Sequence, residues 1–127
     1  MEQKSLSFGD IEIGRDMPQV SPKPIIVVGL EEQEQFKDGK SLGMKLILNI
    51  RHPDNPDMQI SKVKYEFNKK IKESGLWLNL DKDNRIPFNS ALGHVLRYYK
   101  IPTVKDLLNK SLETTTDENG YLIIKAY

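Results

Sequence analysis

The sequence predicts a mainly β domain of the α+β class, with one or two helices set among five or six antiparallel strands. Three observations predict it. Short β-branched or alternating apolar runs recur at Ile25–Val28, Gly43–Ile50, Lys62–Asn68 and Leu76–Leu80. Only one segment, Ala91 to Tyr99, carries a long apolar stripe at helical spacing. Asn119-Gly120 between two β-prone runs is a strong hairpin signal.

Residues 1–24 combine the short apolar stretch FGDIEI with Gly9, Gly14, Pro18, Pro22 and Pro24. That mixture predicts a flexible N-terminal arm, although Phe8, Ile11 and Ile13 are apolar enough to pair as an edge strand. Residues 25–127 are then one domain. A chain of 127 residues buries about two-thirds of the surface its unfolded form exposes, so one sizeable core is expected.

Ile25-Ile26-Val27-Val28 is a dense β-branched run and starts the core. Lys37-Asp38-Gly39-Lys40 reads as a turn, and Met44, Leu46, Leu48 and Ile50 then alternate with other residues as a second strand. RHPDNPD, with two prolines and three Asx residues, reads as a loop. In the next strand Val63, Tyr65 and Phe67 share one face, and Lys62, Lys64 and Glu66 the other. Leu76, Leu78 and Leu80 are expected to face inward, which turns Trp77 outward. Asn89 or Ser90 caps a helix whose stripe is Leu92, Val95, Leu96 and Tyr99, leaving Tyr98 on the flank near His94 and Arg97. Val104 to Lys110 adds a helical turn or two, and the chain closes with a hairpin around Asp117 to Gly120.

Composition excludes several classes. Hydrophobic residues make up 38% and charged residues 29%, outside the regime of disorder. The absence of cysteine rules out disulfides and thiolate metal sites and fits an intracellular, cytoplasmic protein. No apolar run approaches the roughly 18 residues that span a bilayer, and residues 1–15 lack the apolar stretch of a signal peptide. The abundance of Lys, Glu and Ile is compatible with a heat-adapted source. With 19 basic against 18 acidic residues, the net charge of +1 argues against coating nucleic acid or a membrane and leaves room only for a local basic face.

No chemical motif is complete. Gly39-Lys40-Ser41 ends like a phosphate loop, but Glu34 stands where the first glycine is needed and a strand follows instead of a helix. Asp81 to Asn84 starts like a calcium loop, but Ile86 occupies the sixth position, where the glycine belongs. His52, Asp54 and Asp57 are residue types that bind metal, yet proline-rich turn chemistry accounts for them better. His94 has no nucleophile or acid at a catalytic spacing and is expected to be solvated. No enzyme, cofactor or metal is therefore expected.

What remains is a basic and aromatic set. Lys62, Lys64, Lys69, Lys70 and Lys72 lie beside Trp77, Arg97, Tyr98 and Lys100 in elements that should be neighbours. Cations neutralise phosphates, and each exposed ring stacks a base for roughly 1 to 3 kcal/mol. The competing account is that the lysines solvate a sheet face while Trp77 packs beneath the N-terminal arm.

The order strand, strand, strand pair, helix, short helix, hairpin resembles the OB-fold. SALGHVLRYYKIPTVKDLLNKSLETTTDENGYLIIKAY is similar to the C-terminal half of small phage and archaeal OB-like single-strand-binding proteins, with Asn109-Lys110 where their pattern favours Gly-Lys. The resemblance implies an OB-like antiparallel barrel of five or six strands, with a helix between strands 3 and 4. It also implies a binding module with no catalytic residues. Joined to the basic and aromatic set, it leads to single-stranded DNA or RNA as partner, bound by Lys45, Lys62, Lys64, Trp77, Arg97 and Tyr98. The alternative is a protein-interaction module that uses the same face or the arm to dock a protein partner.

Overall fold

The structure is a computed structural model that describes residues 20–127. Strands β1 (Ile25–Lys37) and β2 (Lys40–His52) form a long hairpin. Its two-residue turn has Asp38 and Gly39 at φ of 53° and 79°, the double positive φ of a type I′ turn. Strands β3 (Asn55–Ile60), β4 (Lys62–Phe67) and β5 (Lys70–Gly75) follow, then helix α1 (Ala91–Tyr98) and a 3₁₀ turn at Val104–Leu107. The chain ends with β6 (Ser111–Leu112), β7 (Thr114–Thr116) and β8 (Leu122–Ala126).

These eight strands form two four-stranded sheets, in the orders β3-β2-β1-β6 and β5-β4-β8-β7, and neither closes into a barrel. The expected OB-like antiparallel barrel of five or six strands is therefore corrected. Nor is the helix between strands 3 and 4, because α1 follows β5. The pairing is antiparallel except between β4 and β8, which run parallel with Val63 opposite Ile124. The outermost strands explain why the sheets stop where they do. Pro56 and Asp57 lie on β3, and Lys70, Lys72 and Glu73 on β5, residues that blunt an edge against further pairing. Strands β6 and β7 are only two and three residues long. The chain crosses between sheets at Ser61, between β3 and β4, and at Glu113, between β6 and β7.

RHPDNPD is less of a loop than its turn chemistry suggests. Only Pro53 and Asp54 separate β2 from β3, and Pro56 is tolerated because β3 lies at the edge of its sheet. Strand β5 escapes the sequence pattern because Ile71 is its one large apolar residue, and that residue is itself exposed. Conversely, Leu76–Leu80 is not a full strand. It meets β2 at a Lys45–Trp77 bridge, with hydrogen bonds from Leu46 N–H to Leu76 O and from Leu78 N–H to Met44 O.

The core lies between the sheets and under α1. Ile25, Leu48, Val63, Leu76, Leu92, Val95 and Ile124 are fully buried, each worth about 1.5 to 3 kcal/mol of apolar burial. Leu78 packs at the margin, but Leu80 is exposed, against the expected inward row of three leucines. The Ser90 hydroxyl caps α1 by accepting from Gly93 N–H at 3.0 Å. Tyr99 closes its other end. Burial pushes the Tyr99 phenol up to about 12, and its hydroxyl accepts from Glu113 N–H at 2.9 Å while donating to Lys125 O.

Of the expected arm, residues 20–24 run without regular structure; Ser21 O accepts from His52, Lys23 O from the Thr114 hydroxyl, and Lys23 pairs with Asp54 at 3.0 Å. The rest of that expectation lies outside the described residues. Among those described, no helix is long and apolar enough to cross a membrane.

Candidate nucleic-acid interface

Alternation along β2, β4 and the chain leaving β5 puts four of the six expected binding residues on one outer surface. Leu46 and Val63 are buried, so their neighbours Lys45, Lys62 and Lys64 face outward. Lys45 stands opposite Trp77, Lys62 opposite Gly75, and Lys64 opposite Glu73. The Lys45 ammonium lies 5.3 Å from the centre of the Trp77 ring, within cation–π range. Gly75 leaves the space for this stack. A Cβ there would fall 2.5 Å from Lys45 Cε and 3.1 Å from Trp77 Nε1. Trp77 is half-buried.

Lys62 and Lys64 are already engaged. Lys62 pairs with Asp117 at 3.4 Å and Glu73 at 3.7 Å. Lys64 pairs with Glu73 at 3.4 Å and donates to Thr116 O at 2.7 Å. Asp117 is buried at the head of the β7–β8 turn. Burial pushes its carboxyl up, but the backbone N–H groups of Tyr121 and Asn119, together with Lys62, outweigh that and hold it below the ordinary carboxylate range. Among the described residues Lys45 has no acidic partner, and neither does Lys125, which stands opposite Lys64 in β8.

Arg97 and Tyr98 stand apart, on α1. The Tyr98 hydroxyl donates to Tyr127 O at 2.9 Å and its ring meets Tyr99 edge-on, so it ties down the C-terminal end of the chain. Arg97 lies over Phe88, its guanidinium carbon 3.9 Å from the ring centre, and donates to Phe88 O at 3.0 Å. On one side it borders a cleft shared with Glu66 and Tyr127. On the other it borders a groove of about 790 Å³, whose lining among the described residues includes Arg85, Phe88, Lys100 and Ile101 but no acidic residue. Sequence reasoning missed Arg85 and Phe88. The available signal was an arginine and an aromatic three residues apart in the turn that leads into the Ser90 cap.

Both histidines serve structure. His52 is buried; its Nδ1 accepts from Asp54 N–H at 2.9 Å, so Nε2 carries the proton and donates to Ser21 O. His94 is not simply solvated. It packs against Tyr65 and Phe67 at ring-centre distances of 4.7 and 5.6 Å and bonds Ser90 O through Nδ1. Among the described residues no cluster of three His, Cys, Asp or Glu side chains could hold a metal. Compared with known proteins, the chain matches no family model, no curated sequence and no solved structure.

Proposed function

We propose that this chain is a non-catalytic module that binds single-stranded nucleic acid, with Trp77 stacking a base and Lys45 meeting the adjoining phosphate. The observation that supports the reading is the Lys45–Trp77 pair, an outward indole and an ammonium without an acidic partner among the described residues, set against the bare backbone of Gly75. An indole face stacks any base, and a neighbouring cation neutralises the phosphate that follows it. Lys62 and Lys64 flank the site but are held by Glu73 and Asp117, so they shape the surface more than they attract a polyanion.

Trp77 is the only tryptophan, so its fluorescence reports binding directly. Titration with an oligonucleotide should quench it, more weakly at higher salt. Trp77→Ala should weaken binding by roughly 1 to 3 kcal/mol with little change in salt slope. Lys45→Ala should lower the slope by about 0.7, and Lys64→Ala should change it much less. An oligonucleotide that binds equally well without the indole would refute the assignment. A second reading, a protein-docking module, draws on Phe36 and Leu42, exposed by 62% and 52% in the β1–β2 hairpin; binding of a protein partner that is lost on Phe36→Ser would favour it.

A further inference from the structure

We infer that the groove between α1 and the turn ahead of it is a second binding site, for one nucleotide of a phosphodiester strand. Arg85, Arg97 and Lys100 would hold the phosphate, and the open face of Phe88 would stack the base. The inference rests on the reading above, and it adds a site that the sheet face does not contain.

Charge is the first ground. The three cations are exposed, line one groove of about 790 Å³ with no acidic residue in its wall, and make no ion pair among the described residues. Most other cations of the described residues are also without an ion pair, but these three share one wall that holds no carboxylate, a local positive field that favours an anion. The size falls within the range of small-molecule sites.

Rigidity is the second. Phe88 is 68% exposed, an unusual cost for a phenylalanine, yet its carbonyl is held against α1. Arg97 covers one face of the ring and bonds its carbonyl. Gly93 lets the helix press against the same turn: a Cβ there would fall 2.5 Å from Pro87 O and 2.7 Å from Phe88 O. One ring face is thus left open in a fixed position, as stacking requires.

Lys100 supplies the third. Ile101 N–H bonds Leu96 O at 2.8 Å and Lys100 N–H bonds Arg97 O at 3.1 Å, the two bonds of a Schellman cap. Lys100 occupies the left-handed position, φ 58°, that such a cap normally gives to glycine. A lysine is the costlier choice there, and it delivers a cation to the groove rim.

The site extends over one nucleotide only. Past Asn84, Ile86 and Val104 the groove meets a second cleft, lined by Leu30, Leu78 and Leu80 with Glu31 and Glu32, where the charge reverses. A nucleotide is favoured over an acidic peptide because the peptide's carboxylates would engage the cations and leave the Phe88 face unused.

The test is fluorescence anisotropy of a labelled oligothymidylate of about 12 nucleotides across a salt series, with a labelled oligoglutamate as competitor. Arg85→Gln and Lys100→Gln should each weaken binding several-fold, and Arg85→Gln, Arg97→Gln and Lys100→Gln together should lower the salt slope by about 0.7, the one phosphate they share. Phe88→Ala should weaken binding roughly 5- to 150-fold with the slope unchanged. Lys100→Gly should melt at a higher temperature than the parent protein while still losing affinity, a pairing that a purely structural lysine would not give. Exposed Lys82, outside the groove, serves as the control. If Trp77→Ala weakens binding while the groove variants do not, the groove inference is overturned and the sheet-face reading stands. If the groove variants weaken binding and Trp77→Ala does not, the inference stands and the sheet-face reading falls. No oligonucleotide binding, or displacement by oligoglutamate at equal concentration, overturns the nucleotide assignment.

Discussion

The Tyr99 hydroxyl donates to Lys125 O and accepts from Glu113 N–H, so one side chain joins the helix end, the corner between β6 and β7, and the last strand. Tyr99→Phe leaves both backbone groups to find other partners and should cost about 1 to 3 kcal/mol in urea melts. The loss should depend on pH. Burial keeps the folded phenol neutral up to about 12, whereas an unfolded tyrosine ionises near 10. Above pH 10 unfolding therefore releases a proton, and the advantage of Tyr99 over Phe should shrink from pH 10 to 12 while staying constant below. Asp117 acts in the opposite direction. Its folded carboxyl sits below the ordinary range, so its contribution is present above about pH 4 and disappears as the pH falls through the folded value. Asp117→Asn should lower stability at neutral pH and flatten the acid limb of the stability profile; an unchanged acid limb would mean that Asn119, Tyr121 and Lys62 do not stabilise the charge.

At the scale of elements, α1 separates a packing face from an exposed one. Leu92, Val95 and Leu96 are buried while Arg97 and Tyr98 are exposed, the phase its spacing predicts. Leu96→Ala should cost about 2 to 4 kcal/mol and Tyr98→Ala under about 1, because the first opens a cavity and the second removes one exposed hydrogen bond. Equal losses in denaturant melts would contradict that phase. The helix, its Ser90 cap, the Asp38-Gly39 turn and the hairpin closing at Gly120 were legible because each is specified within a few residues of chain. Strands β3 and β5 were not. Edge strands need little apolar sequence, since pairing on one side and solvent on the other suffice, and Pro56 and the lysines of β5 read as loop. The parallel match of β4 to β8 joins residues some sixty apart, and no local pattern encodes it.

Across the whole molecule the same limit governs the candidate site. Period-two alternation found Lys45, Lys62, Lys64 and Trp77 on one face, but it could not reveal that Glu73 and Asp117 would neutralise two of those lysines. Nor could it bring Arg85 and Phe88 beside Arg97, a meeting made by the packing of a turn on a helix. Net charge is equally uninformative, because +1 averages matched pairs with unmatched clusters. What counts for a polyanion is where cations without a carboxylate partner gather. Among the described residues only Lys23, Lys62 and Lys64 make ion pairs, and the proposed contacts are Lys45 on the sheet face and Arg85, Arg97 and Lys100 in the groove. If a single strand engages both surfaces, one phosphate is met by Lys45 and one by the groove, and the logarithm of affinity should fall against that of salt with a slope of about −1.4. Affinity would then drop about 7-fold between roughly 50 and 200 mM salt. A slope of about −0.7 would match one surface alone. The titration thus measures how much of the molecule the strand touches, and Lys45→Gln combined with Arg85→Gln, Arg97→Gln and Lys100→Gln should remove that slope if the two surfaces act on one strand.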